Sequence, residues 1–249
     1  MKKSLFIITH KKIDNPIPKN HEILFVGAHN KKIPNNYKSD DFKDGISNLN
    51  PYFCELTGLY YIWKNCDSDI IALEHYRRLF IKTKVYFFHF PFLNSKDIDS
   101  LMNQYDIVVP KRYLVNETGK EIYEKDHNIN DLNITRTIIE EYYSEYLQAF
   151  DRMLESKENY YYNMFITKKT ILNDYCEFLF DVLFKLMDRI DYKSRDTYQA
   201  RVFGFISERL FTTYLFKHSE LKIHEQYIEF IDKNIIKTQI RRIKDNLGK

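Results

Sequence analysis

The sequence predicts an α/β fold with a mostly parallel central sheet and a helical C-terminal part. Short, β-rich apolar runs alternate with segments of helical period along most of the chain, the order expected of βαβ units. A composition of 44% apolar and 29% charged residues over 249 positions is that of a globular chain long enough to bury a substantial core. Six Gly and six Pro leave no room for a low-complexity linker. No internal repeat or domain boundary shows, so residues 1–231 are read as one domain followed by a basic tail, 232–249.

The elements follow in order. Residues 5–9 and 23–28 are apolar runs closed by polar residues and read as buried strands. Residues 30–51, rich in Asn, Asp, Lys and Pro, read as a long loop, a length that usually signals function or mobility. Residues 54–65 place Leu56, Leu59, Tyr60 and Trp63 on one helical face. The run Ile70-Ile71-Ala72-Leu73 reads as a buried strand that delivers Glu74, His75, Tyr76, Arg77 and Arg78 at its end. A short helix at 98–102 precedes a strand at 106–110. Residues 131–155 are helical with a break near Ser144, 162–167 a strand, 171–190 an amphipathic helix and 197–216 another helix. Residues 221–224 form a last strand, and the tail reads as helical.

Composition and charge exclude several classes. Cys54, Cys66 and Cys176 have no zinc-ligand spacing and make no even disulfide set, which points to a reducing compartment. No apolar run approaches the roughly 20 residues of a membrane span. The start has too short an apolar stretch for a secretion signal, so a cytoplasmic location is expected. The tail holds Lys233, Lys237, Arg241, Arg242, Lys244 and Lys249 against Asp232 and Asp245, which leaves the rest of the chain near neutral. A near-neutral body argues against nucleic acid as a partner. The tail suits contact with an anionic membrane surface.

In open α/β sheets ligands bind beyond the carboxyl ends of the strands. That rule promotes Thr9-His10-Lys11, the stretch from Glu74 to Arg78, and Pro110-Lys111-Arg112, all cationic or polar. Their coincidence fits an anionic ligand such as a diphosphate. Arg77 and Arg78 would clamp it through bidentate, charge-assisted hydrogen bonds. No glycine-rich phosphate loop is present, which excludes P-loop and dinucleotide-binding enzymes of the usual kind, and no hydrolase signature appears.

An ordered set of strings resembles a family. They are Thr9-His10-Lys11, Val26-Gly27-Ala28, Asp44-Gly45-Ile46-Ser47, Asn50-Pro51, Cys54-Glu55-Leu56-Thr57, Ile62-Trp63-Lys64-Asn65 and His75-Tyr76-Arg77-Arg78. Further on come the stretch from Tyr105 to Lys111, His127 with Asp131-Leu132, Tyr162-Asn163-Met164-Phe165-Ile166, Arg201-Val202-Phe203-Gly204-Phe205 and Ser207-Glu208-Arg209-Leu210. The set is similar to bacterial glycosyltransferases of capsule and exopolysaccharide synthesis grouped as "domain of unknown function 4422", and it spans nearly the whole chain.

The resemblance implies a GT-A-like nucleotide-binding sandwich and a UDP-hexose donor, galactose-type first. With the amino-terminal half expected to bind that donor, the strand ends and the helix after the long loop give the donor contacts as Thr9, His10, Lys11, Glu55, Glu74, His75, Tyr76, Arg77, Arg78 and Lys111. Asn163 and Arg201 fall to the acceptor side. Many GT-A enzymes hold Mn²⁺ or Mg²⁺ on an Asp-x-Asp motif; here the matching strand end offers Glu74 and His75 instead, with Arg77 and Arg78 as the cationic alternative. Inverting transfer needs a base, for which His127, Asp131 and Glu208 are the candidates. Asp131 is also a good helix N-cap, and Glu208 a good ion-pair partner for Arg201 or Arg209.

The expected function is therefore hexose transfer to a lipid-linked glycan acceptor in capsule, exopolysaccharide or O-antigen synthesis. The enzyme would sit peripherally at the inner face of the plasma membrane. The rival is a non-catalytic nucleotide- or glycan-binding partner in a polysaccharide assembly complex.

Overall fold

The computed structural model describes residues 1–84, 86 and 90–231. The basic tail expected as a membrane contact, 232–249, lies outside the described residues.

Three strands open the chain: β1 (Lys3–Thr9), β2 (Glu22–Phe25) and the short β3 (Lys38–Ser39). They are followed by helices α1 (Asn50–Phe53) and α2 (Leu56–Asn65), strands β4 (Ile70–His75) and β5 (Arg78–Ile81), and helix α3 (Ser95–Gln104). Next come β6 (Ile107–Pro110), β7 (Tyr113–Leu114), α4 (Gly119–Asp126), α5 (Ile129–Tyr142) and α6 (Leu147–Glu155). The chain continues through β8 (Glu158–Asn159), β9 (Phe165–Lys168), α7 (Lys169–Met187), α8 (Val202–Lys217) and β10 (Ile223–Phe230). A 3-10 turn at Ser144–Tyr146 makes the break expected near Ser144.

Part of the main sheet is what the sequence predicts: β2, β1 and β4 lie side by side and parallel. The segment 30–51, expected to be a loop throughout, adds the two-residue strand β3 parallel to β2, through Leu24 and Phe25, and turns into α1 at its end. The rest of the sheet departs from the expectation. The far edge of β4 pairs antiparallel with β9 over Ile70–Leu73 and, at His75, antiparallel with β5. From β9 the sheet continues to β6 (antiparallel), to β10 (parallel) and back to β5 (antiparallel). Five strands, β4, β9, β6, β10 and β5, thus close on themselves as a small barrel. The expectation of a mostly parallel sheet is corrected: four of the eight pairings are antiparallel. The cause is β5, which turns straight back from β4 through Tyr76-Arg77, and β10, a strand four residues longer than 221–224 suggests and set farther along the chain.

The strands alternate their faces. Ile71 and Leu73 join Phe6, Ile8, Leu24 and Val26 against the helical layer, while Ile70 and Ala72 face Phe80, Val108 and Ile166 and helix α3. Helix α8 is buried nearly all round from Val202 to Leu215, as befits the central member of that layer. Gly58 lets α2 press onto the strands; a Cβ there would stand 2.7 Å from Val26 Cγ1 and 2.9 Å from Ile8 Cδ1. This close approach fixes the α1–α2 segment over the carboxyl ends of β1 and β4.

Candidate functional site

The parallel half reverses its order at β1, whose successor β2 lies on one side and β4 on the other. The carboxyl ends of β1 and β4 are therefore a topological switch point, where a crevice is expected. A cleft of about 380 Å³ lies there, between the two strand ends, the start of α1, the Cys54-Glu55 junction and Arg201. Thr9, His10, Glu55, His75, Tyr76, Arg77, Arg78 and Arg201 line it together. Strand residues and residues as distant as Arg201 thus share one wall.

Each side chain has a physical placement. Thr9 is 1% exposed and folds its hydroxyl onto Lys11, donating to Lys11 O at 2.7 Å, so it shapes the turn after β1. Lys11 lies over the Tyr76 ring at 5.1 Å and faces a neighbouring hollow shared with Arg77. Arg78 stacks its guanidinium on Tyr162 at 4.3 Å. Arg201 donates from Nε to Cys54 Sγ at 3.1 Å. Among the described residues, Arg77, Arg78 and Arg201 have no carboxylate within ion-pair distance. Burial and the flanking cations lower the pKa of both cleft histidines. His75 is pushed down to about 3 by burial first, then by Arg78, His10, Arg77 and Lys11. His10 is lowered by burial and then by Lys11 and Arg77. Both rings are therefore neutral at pH 7, and the fixed cations supply the field. Burial also pushes the Cys54 thiol up to about 11, so it is not a thiolate nucleophile.

The backbone around the cleft is held by a residue the sequence reading missed. Asp40, fully buried, accepts from Gly27 N at 2.8 Å, Ala28 N at 3.0 Å, and the Ser47 and Thr57 hydroxyls at 2.5 Å each. Four donors satisfy this buried carboxylate and tie the turn after β2 to α2. Gly27 has φ +64, and a Cβ there would collide with the Asn50 side chain. Nothing periodic marks Asp40 in a polar loop; the only hint is a Gly closing the preceding strand. Cys54 breaks the helix predicted over 54–65, with φ +53, and Asn50 Nδ2 caps its carbonyl at 2.7 Å. That break leaves Glu55 at the mouth of α2, in the cleft. Tyr162 and Asn163, expected inside a strand, instead take positive φ of 76 and 25 and turn Asn163 toward Glu55.

Other predicted residues lie elsewhere. Glu74 is 4% exposed on the opposite face of β4 from His75. It accepts from Phe80 N at 2.6 Å and sits 2.7 Å from His21 Nε2, closing the β4–β5 turn. His75 Nδ1 accepts from Arg77 N at 3.3 Å. Glu74 and His75 consequently do not fit as a pair of metal ligands, since they diverge and their lone pairs are engaged; among the described residues no group of three metal-ligating side chains occurs. Lys111 stands over Tyr227 at 4.1 Å, outside the cleft lining. Asp131 is 2% exposed and bound bidentately by Arg195, both contacts 2.7 Å. The N-cap of α5 is Asn128, not Asp131. His127 packs at 3.9 Å, centroid to centroid, on Phe205, between Tyr123 and Tyr198. Neither reaches the cleft. Glu208 accepts from Tyr162 N at 3.1 Å and pairs with Arg209 at 3.3 Å, behind the cleft floor.

Comparison with known proteins gives a family and a similar fold. The model of the family described as "Domain of unknown function (DUF4422)" matches residues 4–219, and the chain belongs to that family. It is similar to a solved structure described as "WbbM bifunctional glycosyltransferase apo structure", with TM-score 0.84 and 28% identity over 93% of this chain. The match covers 46% of that protein, so this chain spans less than half its length. No curated protein matches. No helix among the described residues is long and apolar enough to cross a membrane.

Proposed function

We propose that this chain is a glycosyltransferase module that binds a nucleotide-diphosphate sugar in the cleft at the ends of β1 and β4. The observation that carries the reading is the convergence there of Arg77, Arg78 and Arg201, none with a carboxylate partner among the described residues, at the switch point of the parallel half of the sheet. Guanidiniums with free donors match diphosphate oxygens in geometry and charge. They would receive the charge that develops on the departing nucleotide diphosphate. Family membership and similarity to a bifunctional glycosyltransferase support the same class.

Within that reading the donor is a UDP-hexose, galactose-type first, and the acceptor a lipid-linked glycan of surface polysaccharide synthesis. Arg201, in the cleft lining, would also meet the acceptor, whereas Asn163, 2% exposed and outside that lining, would act only through Glu55. The GT-A-like parentage rests on the parallel order β3-β2-β1-β4 followed by antiparallel β9. Residues 232–249 would bring the protein to anionic lipid at the inner face of the plasma membrane.

The test is thermal shift and UDP release with UDP, UDP-galactose and UDP-glucose, each with Mn²⁺ and with EDTA. A ligand at a hundred times its Kd contributes about 2.7 kcal/mol, a visible rise in Tm. The expected result is stabilisation by UDP and its sugars, with release of UDP. Persistence in EDTA assigns charge neutralisation to the arginines, and loss in EDTA assigns it to a cation. Retention of UDP-sugar without UDP release would mark a binding module in an assembly complex instead.

A further inference from the structure

The cleft is rich in cations and poor in anions. Among the described residues that line it, Glu55 is the one carboxylate. It is not there as part of an ion pair: its contact is Asn163 Nδ2, which donates to Glu55 Oε1 at 3.2 Å. Asn163 is 2% exposed, and the same Nδ2 donates to Ser207 Oγ at 2.7 Å. Ser207 donates its own proton to Gly204 O at 2.7 Å, which leaves its lone pair for Asn163. A relay from α8 thus fixes the Asn163 amide and, through it, one oxygen of Glu55. Asn163 Oδ1 is buried and has no hydrogen-bond partner among the described residues. The two left-handed residues Tyr162 and Asn163 hold this geometry, a backbone cost of the kind concentrated at working sites. Cys54, also left-handed, sets Glu55 at the cleft edge.

We propose that Glu55 is the general base of this site, the carboxylate that takes the proton of the attacking hydroxyl. The proposal rests on the glycosyltransferase reading above. As the acceptor oxygen bonds to the anomeric carbon of the donor, its proton passes to the carboxylate oxygen of Glu55. The bond from that carbon to the diphosphate oxygen breaks, and its electron pair leaves with the nucleotide diphosphate against Arg77 and Arg78. Asn163 is a positioning residue that holds Glu55 by one oxygen and leaves the other to face the substrate. The charged and titratable groups around Glu55 are Arg77, Arg78 and His75 from β4–β5, Arg201 and Glu208 from the α8 region, Tyr175 from α7, His10 from β1 and Cys54 beside it. Glu208 cannot replace it, since its oxygens are taken by Tyr162 N and Arg209.

The experiment is UDP release from UDP-galactose and UDP-glucose, with water as acceptor, by the wild-type chain of 249 residues, E55Q, E55A and N163A. UDP affinity and Tm are measured on the same samples. The expected result is a loss in kcat of roughly 10²- to 10⁴-fold in E55Q with UDP affinity and Tm kept. The acid limb of the wild-type pH profile should vanish in E55Q, and added formate should restore part of the rate of E55A. N163A should lower kcat with KM unchanged and keep the acid limb, which a merely structural role would not produce. An E55Q rate within about threefold of wild type overturns the proposal. So does loss of UDP affinity in E55Q, which would make Glu55 a donor contact. A wild-type chain that binds none of these nucleotides overturns the underlying reading, an outcome distinct from either.

Discussion

Two clusters of charge in this molecule contain the same residue types and do different things. Around Asp131 the carboxylate is matched: Arg195 binds both of its oxygens, and His127 packs among aromatic rings. At the ends of β1 and β4 three guanidiniums face a single carboxylate, itself held by an amide rather than by a cation. Arg77 and Arg201 are exposed and Arg78 is half-buried, so water solvates these guanidiniums and leaves their donors open to an anionic ligand. The imbalance, more than residue type, separates the site from the scaffold.

The largest expected effect sharpens that contrast from the scaffold side. D131A should cost about 3–5 kcal/mol in urea or thermal melts, because it strands Arg195. Its UDP affinity should stay within about twofold of wild type, as expected for a separated site. The R77A/R78A double variant should do the reverse: UDP binding by calorimetry weaker by roughly 100-fold, with stability changed by about 1 kcal/mol or less. Equal loss of binding in both variants would break the comparison.

Gly27 tests the frame of the cleft. G27A should destabilise by about 2 kcal/mol in denaturant melts, since the residue is left-handed and its Cβ has no space beside Asn50. It should also weaken UDP binding, because Val26 and Asn50 line the cleft.

The smallest effect is read in pH. The folded-state pKa of His75, about 3, lies below its unfolded value, so as pH falls the unfolded chain takes up the proton first. Stability from this group is complete above the ordinary histidine range and declines as pH falls toward 3. Melts between pH 7 and 5 should show a slope that H75Q reduces, with His10 and His127 supplying the remainder in the same direction. Saturating UDP should flatten the slope in wild type by offsetting the cations that disfavour the imidazolium. An H75Q slope equal to that of wild type would remove His75 from the account.

Much of the cleft wall was legible. A buried run ending in His75-Tyr76-Arg77-Arg78 and another ending in Thr9-His10-Lys11 placed cations at two carboxyl ends, and the parallel pairing of β1 with β4 brings those ends together. The role of Asp131 was not legible, because its partner Arg195 lies 64 residues away and no local pattern announces it. Local chemistry suggested a cap, yet Asn128 holds that position. Glu74 was misplaced for a different reason: β5 follows too closely after β4 to show as a strand, and its amide at Phe80 takes the carboxylate. Helix α4 was missed too, although Thr118 and Glu121 form a capping box before it.

By itself the sequence determined the α/β class, the core faces of β1, β4, α2 and α7, and the cationic character of the two strand ends. These follow from hydrophobic periodicity and from where polar residues interrupt it, both of which are local. Tertiary structure alone decided the closure of five strands, the four donors on Asp40, the turn at Tyr162-Asn163 and the seat of Glu55. Each depends on hydrogen bonds between segments far apart in the chain, and which of several similar polar residues finds a partner is settled only when those segments meet.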